Sequence, residues 1–377
     1  MAELFKDVYS TASIGLLAMH LHKNYAALDV PGFVAKACEN IADNEMKQRA
    51  NQIIIACKEY LPTDFEHSAQ ILLASLSNAN EEEGWNTRQT DYKTGIEGWL
   101  VAPIADYVGL YGQDNFDVSM NLLKELTKRF SSEFGIRYFL KQQTQRTLDI
   151  LATWLDDPDQ HVRRLISEGT RPRLPWGMQL KQFVKEPQPV IDLISHLKDD
   201  PEEYVRRSVA NNLNDIAKDH PDIVCNIAND WLKHASPNRR RLVKHACRTL
   251  LKQGHAGTLK VFGFGAPDYS KAVLSLVSDQ LTLGQSLAFE LRVDNECDAD
   301  QEWMIDFIIH HKKSKGHTTP KVFKWKQINV AANQTLVITK KHPFKPITTR
   351  AFYAGLHAIE VTINGVAIAK QAFHLSV

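Results

Sequence analysis

The sequence lacks the features that define several common classes of protein. Its five cysteines in 377 residues include no Cys-x-x-Cys pair, so neither a zinc site nor a disulfide framework is indicated, and reduced core thiols are expected. No stretch approaches the roughly 20 apolar residues that span a bilayer, and no basic region precedes an apolar run at the N-terminus. No local pattern signals a Ser-His-Asp or Cys-His nucleophile. These absences favour a soluble cytoplasmic protein.

Acidic residues are also missing from a long part of the C-terminal region. No Asp or Glu occurs from Phe307 through Ile359, a run of 53 positions, although the net charge of the chain is only +1. The same run contains ten basic residues: Lys312, Lys313, Lys315, Lys321, Lys324, Lys326, Lys340, Lys341, Lys345 and Arg350. Lysines can simply protect exposed sheet edges, and that reading stays open, but the total lack of acids favours a phosphate-contacting face. The interleaved His310, His311 and His317 have no partner carboxylate in sequence, so no metal is expected.

A repeated break between helices is the strongest positive signal. The motif DDPDQHVRR at 156–164 recurs as DDPEEYVRR at 199–207, and a weaker copy begins at Ser236. Pro158 and Pro201 lie 43 residues apart, close to the period of HEAT-type helix pairs. Proline suits the first turn of a helix, and aspartate suits the positive end of its dipole. Because the arginine pairs recur along the predicted stack, they indicate a cationic groove, and DNA is the obvious polyanion.

The period of the apolar residues changes about two thirds of the way along the chain. Up to Gly254 they recur at helical spacing, and after a glycine-containing segment at 262–268 they alternate at period two in seven or so short strands. We therefore predict a mainly α fold with two domains. A HEAT-like helical solenoid is expected over 1–265, followed by an all-β immunoglobulin-like sandwich over 266–377 that lacks the Cys-Trp-Cys core of antibody domains.

The block RRLISEGTRPRLPW at 163–176 carries a family resemblance. Together with SSEFGIRYFL at 131–140 and RRSVANNLNDIAKDHP at 206–221, it resembles the AlkC branch of the AlkC/AlkD alkylpurine DNA glycosylases, HEAT-like repeat enzymes of bacterial base-excision repair. The segment KVFK at 321–324 resembles members that carry an immunoglobulin-like C-terminal domain. The resemblance covers most of the chain, is loose over the first hundred residues, and departs from the family pattern at Tyr138, where a proline is more usual.

The resemblance implies a monofunctional DNA glycosylase that removes cationic N3-alkylated bases, chiefly 3-methyladenine, from double-stranded DNA. It implies action without base flipping, metal or cofactor, by a monomer with no membrane partner. An N3-alkylated adenine is already a good leaving group, so one or two carboxylates suffice to stabilise an oxocarbenium-like sugar and place a water. An aromatic wall adds attraction for the cationic base. The positions that match the family are Glu133, Glu168 and Asp215 for the carboxylates and Trp176 for the wall.

Basic side chains are expected to contact the DNA backbone. The candidates in the solenoid are Arg164, Arg171, Arg173, Arg207 and Arg240, and those in the sandwich are Lys312, Lys313 and Lys315. In HEAT arrays the first arginine of each repeated pair often faces inward as a structural ladder, so we do not expect every arginine to touch DNA. Arg171 and Arg173 lie in a segment expected to be a polar loop, which favours them as phosphate contacts.

Each assignment has a structural alternative. Glu133 and Glu168 could be ordinary helix carboxylates paired to nearby arginines, Asp215 could bond neighbouring repeats, and Trp176 could fill a gap between repeats. A HEAT-repeat protein that holds damaged or bent DNA without cleaving it also needs the basic surfaces. A protein-binding scaffold is a third class, which the acid-free sandwich disfavours. Carboxylates inside a cationic groove repel phosphates, so the acidic cluster favours the enzyme over the pure DNA binder.

Overall fold

The computed structural model describes residues 5–78, 94–347 and 350–377, and it confirms the predicted order of helices followed by strands. The α-helices of these ranges are α1 (Thr11–Asn24), α2 (Val30–Ala37), α3 (Met46–Tyr60), α4 (Phe65–Ala74), α5 (Val101–Tyr111), α6 (Phe116–Thr127), α7 (Ile136–Gln142), α8 (Thr144–Thr153), α9 (Gln160–Gly169), α10 (Lys181–Lys185), α11 (Gln188–His196), α12 (Glu203–Ile216), α13 (Pro221–Trp231), α14 (Pro237–Ala246), α15 (Arg248–Gln253) and α16 (Ala256–Val261). Among the described residues, no helix is both long and apolar enough to cross a membrane.

The helices that follow the Asp-Pro breaks pack side by side. α9 begins after Asp159, whose carboxylate accepts hydrogen bonds from the backbone N–H groups of His161 (2.7 Å) and Val162 (3.3 Å). α12 packs against both α9 and α14, and α6 packs against α9, so the helices of successive repeats are neighbours. This is the HEAT-like stacking that the spacing of the two prolines predicts.

Ion pairs join two of these helices, α6 and α9, to the break before the next helix of the stack. Lys124 on α6 lies 2.5 Å from Asp157, and Arg163 on α9 lies 2.7 Å from Asp200. Arg163 also donates to the carbonyl oxygen of Asp157, and its repeat equivalent Arg206 donates to that of Asp200. In both full copies of the motif, the first arginine therefore ties the turn between two helices.

The second part of the chain contains the predicted sandwich. Its strands are β1 (Lys271–Leu276), β2 (Gln280–Thr282), β3 (Ser286–Asp294), β4 (Gln301–Lys312), β5 (Thr318–Val330), β6 (Thr335–Pro343), β7 (Gly355–Ile363) and β8 (Val366–Ser376). One sheet has the order β1-β3-β6 and the other the order β2-β8-β7-β4-β5. Buried Phe289, Trp303 and Phe307 lie in their shared core. The prediction of short strands is wrong for β4 and β5, which are 12 and 13 residues long.

The chain divides into two compact units, each of which draws on two segments. One consists of Met1–Asp219 with Ser236–Ala246, and the other consists of His220–Ala235 with Cys247–Val377. The second unit thus includes α13, α15 and α16 in addition to the sandwich. The domain boundary between residues 265 and 266, drawn from the change of sequence period, stays a prediction.

The lysines of the acid-free stretch lie in two kinds of place. β5 and β6 are edge strands of their sheets, and they carry Lys321, Lys324, Lys326, Lys340 and Lys341. Lys312 ends β4, and Lys313 and Lys315 lie in the turn that leads to β5, where Gly316 has a φ of 84°. The strand lysines fit edge protection. Lys312, Lys313 and Lys315, together the turn lysines, lie at the end of β4 and in this turn, and Lys312 donates to the carbonyl oxygen of Ala354 at 3.0 Å. Contact of the turn lysines with DNA stays a prediction.

The cysteines and the histidines of the acid-free stretch depart in part from the prediction. All five cysteines are free, but the expectation of core thiols is right for Cys57 and Cys247 and wrong for the other three, which are half-buried. His310 does have a carboxylate partner, Glu360 at 3.0 Å, and His311 lies 2.7 Å from Arg350. In the part of the chain that the structure describes, no group of three or more His, Cys, Asp or Glu side chains could hold a metal ion.

The tie between repeats can be tested by matched substitutions. We expect Asp200→Asn to lower the free energy of unfolding by about 3 kcal/mol, because it leaves the largely buried Arg163 without its anionic partner. Asp117→Asn breaks an exposed pair with Arg146 and should cost less than about 1 kcal/mol. Urea unfolding followed by circular dichroism measures both values. Equal losses would contradict a stabilising role for the inter-repeat pair.

Candidate functional site

One face of α9 carries the first charged pair of the site. Arg164 and Glu168 are one helical turn apart, and Arg164 Nη2 lies 3.5 Å from Glu168 Oε2. Because Asp159 caps α9, the Asp-Pro break fixes where both side chains emerge. The helix ends at Gly169, and the segment 170–178 that follows carries the rest of the family motif.

A fully buried arginine holds this segment in place. Arg137 on α7 donates to the carbonyl oxygens of Gly169 (2.7 Å), Arg171 (2.8 Å) and Met178 (2.9 Å). Burial and the neighbouring charge of Arg171 lower the pKa of Arg137 to about 10. The guanidinium is therefore still a cation near neutral pH, and it fixes the segment at its beginning and at its end.

Three carboxylates meet the arginines of this region. Glu133, which lies just before α7, places its Oε2 atom 3.1 Å from Arg164 Nη1. Arg171 has two anionic partners, with Nη1 2.6 Å from Glu168 Oε1 and Nε 2.8 Å from Asp215 Oδ2. Arg171 thus links the end of α9 to α12. The structure therefore brings the three acids of the predicted cluster into one ion-pair network.

The arginines keep Glu168 ionised despite its burial. Burial raises the pKa of Glu168, but the charges of Arg164 and Arg171 and a 2.6 Å hydrogen bond donated by Ser208 outweigh that effect. The pKa of Glu168 therefore lies below its usual range, and the group is a carboxylate at neutral pH. Conversely, burial lowers the pKa of Arg171, but Glu168 and Asp215 outweigh it and raise the pKa.

A cleft of about 390 Å³ opens beside this network. Its wall combines charged, aromatic and apolar side chains: Trp99, Phe130, Ser131, Glu133, Phe134, Arg164, Glu168, Arg171, Leu174, Pro175 and Trp176. Asp215 is set back from the wall, because its side chain is only 2% exposed and is held by Arg171 and by Lys218 at 2.8 Å. The contact that connects Asp215 to the cleft wall is its ion pair with Arg171.

Trp176 forms an exposed part of the cleft wall. The residue is 65% exposed, and its φ of 65° lies in the left-handed region that non-glycine residues rarely adopt. Lys47 on α3 donates to the carbonyl oxygen of Trp176 at 2.9 Å, and the ring of Phe5 lies 6.4 Å from the indole. An exposed ring on a strained backbone is unlike a core side chain, so the alternative of plain core packing is wrong.

The arginines predicted to contact DNA fall into two groups. Arg164, Arg171 and Arg173 are paired with carboxylates, the last with Asp219 at 2.7 Å. Arg171 is only 8% exposed, so it does not occupy the open loop position that favoured it as a phosphate contact. Arg207 on α12 and Arg240 on α14 are exposed. Their phosphate contacts, and those of the three turn lysines, stay predictions.

Several residues of the site have no role in the sequence analysis. They include Arg137, Ser208 and Tyr204, whose ring lies 5.0 Å from the guanidinium of Arg164. The repeat offers a signal for Tyr204, because it takes the position of His161 in the second copy of the motif, and the two rings pack at 5.5 Å. A lone serine on a helix and an arginine outside the repeat offer no such signal.

Comparison with known proteins of similar sequence and architecture identifies the family of this chain. The model of the C-terminal immunoglobulin-like domain of the uncharacterised protein YhaZ matches residues 270–377. YhaZ of Bacillus subtilis (strain 168) is 33% identical over 367 residues, which are 97% of each chain. The Pseudomonas fluorescens alkylpurine DNA glycosylase AlkC, bound to DNA containing an abasic site analogue, matches over 100% of both chains with 31% identity and a TM-score of 0.85. The chain therefore belongs to the AlkC-type family of alkylpurine DNA glycosylases and, like YhaZ, carries the C-terminal immunoglobulin-like domain.

Proposed function

We propose that the protein is a monofunctional DNA glycosylase that hydrolyses the N-glycosidic bond of cationic N3-alkylated bases, chiefly 3-methyladenine, without base flipping. The observation that carries this proposal is the pair of carboxylates, Glu133 and Glu168, on the wall of a cleft whose other charged groups are arginines. The family supports it, because the solved relative is bound to DNA with an analogue of the abasic product. Such an enzyme acts as a monomer on double-stranded DNA in the bacterial cytoplasm and starts base-excision repair.

The reaction asks little of the protein, because an N3-alkylated adenine in DNA is a cation. When the bond between C1′ and N9 breaks, its electron pair passes to the purine, which leaves as a neutral base and needs no general acid. The sugar then resembles an oxocarbenium ion. Water adds its oxygen to C1′ and gives its proton to a carboxylate, so the products are a free base, an abasic site and one proton.

The network assigns different tasks to its members. Glu133 is more exposed than Glu168, with side chains 16% and 7% exposed, so we assign to Glu133 the position nearest the sugar and its water. Glu168 adds the field of an ionised carboxylate. Trp176 attracts the cationic base through its ring, an interaction typically of about 0.5 to 2 kcal/mol. Asp215 is a positioning residue, because it reaches the cleft through Arg171.

A second candidate is a HEAT-repeat protein that holds damaged or bent DNA without cleaving it. The observation in its favour is that Glu133, Glu168 and Asp215 all have arginine partners, as in a purely structural network. Against it, the desolvation of buried ion pairs costs free energy, and phosphate binding has no need of carboxylates in the cleft wall. The two candidates differ in whether a base is released.

The proposed function is tested by incubating the full chain with methylated duplex DNA and identifying the freed bases by chromatography. We expect release of 3-methyladenine. Duplexes that contain uracil or hypoxanthine should release neither base, because these lesions are neutral and the proposed site supplies no acid to protonate them. Uracil release at a rate near that of 3-methyladenine would contradict the need for a charged leaving group, and no release of any alkylated base would favour the DNA-binding candidate.

The roles of the carboxylates are tested by isosteric substitutions. We expect Glu168→Gln and Asp215→Asn to lower the single-turnover rate of base release by about 10² to 10³, with little change in DNA affinity. Glu125→Gln is a matched control, because Glu125 is also a helix glutamate paired with two cations, Lys128 (2.7 Å) and Arg129 (2.8 Å), outside the cleft. Full activity in both the Glu168 and the Asp215 variant would remove the assignment, and weaker binding with unchanged chemistry would make these acids structural.

The turn lysines of the sandwich are expected to act on DNA affinity and not on bond cleavage. Replacing Lys312, Lys313 and Lys315 together by alanine should weaken binding and lower the slope of log K against log salt by roughly 0.9 for each phosphate that the variant no longer neutralises. Lys271→Ala, an exposed lysine on β1 outside the acid-free stretch, is the control. Fluorescence anisotropy at several salt concentrations gives both quantities. An unchanged affinity and slope in the triple variant would return these lysines to a purely structural role.

A further inference from the structure

A second cavity of about 280 Å³ adjoins the cleft and shares three of its aromatic residues: Trp99, Phe134 and Trp176. Its remaining walls come mainly from α3, α5 and α7 and include Lys47, Asp106 and Tyr138. Asp106 and Tyr138 have no part in the proposed bond cleavage. A concave site with flat apolar walls and a few polar groups has the character of a small-molecule site.

The aromatic walls of this cavity are fixed by contacts that a ligand does not have to supply. Lys47 holds the carbonyl oxygen of Trp176 at 2.9 Å. Tyr138 packs directly on the backbone of α5 because Gly109 has no side chain, and a Cβ there would lie 2.4 Å from the tyrosine ring. The walls are therefore formed before a ligand enters, which lowers the conformational cost of binding.

The carboxyl group of Asp106 is a polar group of this cavity that lacks a hydrogen-bond partner among the described residues. The nearby ammonium of Lys47 is engaged at Trp176. Burial raises the pKa of Asp106 to about 7, against a smaller lowering by Lys47. Near neutral pH the group can accept a hydrogen bond as a carboxylate or donate one as an acid. Asp106 is half-buried, so a ligand that enters the cavity and completes its burial also has to supply a hydrogen bond to the carboxyl group.

We propose that this cavity receives the purine base after the glycosidic bond has broken, an inference that rests on the proposed function. The ligand class is a neutral purine with an exocyclic amino group. Its ring packs against Trp176 and Tyr138, and its amino group donates to Asp106. An aliphatic chain would leave the carboxyl group without a partner, and a phosphate would meet it as a like charge, so neither class suits the cavity.

The position of the cavity explains how a base can leave without prior flipping. Trp176 lines both the cleft and the cavity. A base that is released against the indole ring therefore needs only to pass the edge of that ring to reach Asp106. The base stays with the DNA until the bond breaks, and the cavity then keeps it away from the abasic sugar.

Binding of free 3-methyladenine to the full chain, measured by equilibrium dialysis, tests the inference. We expect the wild-type protein to bind this base and unmethylated adenine, and to bind cytosine more weakly. Asp106→Leu should weaken 3-methyladenine binding at least about tenfold, because it removes the hydrogen-bond acceptor. Asp117→Leu, which changes an exposed aspartate outside the cavity, should leave the affinity unchanged.

A second variant covers the case in which Asp106→Leu does not fold. Ala50→Phe places a ring in the cavity from α3 and should also abolish binding of the free base. The inference is overturned if the wild-type protein does not bind the base, or if a folded Asp106→Leu or Ala50→Phe variant binds it as well as the wild type does.

The same protein preparations separate this inference from the proposed function. Release of 3-methyladenine from methylated DNA without any binding of the free base would overturn the proposed base-binding role of the cavity and leave the proposed glycosylase function standing. Binding of the free base that depends on Asp106, without release of the base from DNA, would overturn the proposed glycosylase function and leave a purine-binding site. Added 3-methyladenine should also slow multiple-turnover excision by the wild type and not by Asp106→Leu, and equal inhibition of both would place the product elsewhere.

Discussion

The bridge that Arg171 forms between Glu168 and Asp215 is the contact on which the rest of the site depends. It joins α9 to α12, the helices of two successive repeats, through a single guanidinium with partners at 2.6 Å and 2.8 Å. The backbone of the same residue is held by Arg137. Both the side chain and the carbonyl group of Arg171 are therefore held in place. This fixes the start of the segment that carries Trp176, which lies in the cleft wall.

The charges of this network balance an otherwise costly burial. A buried carboxylate without a partner would take up a proton, but the arginines around Glu168 hold its pKa below the usual range. The ionised group then lies on the wall of a cleft, and at the effective dielectric constant of about 20 that is typical near a protein surface a charge pair at about 4 Å is worth roughly 4 kcal/mol instead of about 1 kcal/mol in bulk water. Stabilisation of a cationic sugar by such a group is the physical basis of the proposed chemistry.

The sequence allowed the fold and the members of the acidic cluster to be predicted, but not their contacts. The two Asp-Pro breaks place α9 beside α12, and the family motif picks out Glu133, Glu168 and Asp215. Which arginine serves which acid depends on side-chain directions across a separation of 44 residues, and no local pattern encodes that choice. For this reason Arg171 is a buried bridge and not an open loop residue. Asp106 lies on an apolar helix, and the proposal for this residue depends on the cavity that the structure places around it.

The pH dependence of single-turnover base release tests the central claim most directly, because it reports how the bond breaks and is not affected by product release. We expect the rate for 3-methyladenine in duplex DNA to stay level from about pH 6 to about pH 8. The lesion already carries its charge, and Glu168 is ionised throughout this range. A rate that falls steadily as the pH rises would show that an acid must protonate the leaving base, and it would contradict cleavage by ionised carboxylates alone.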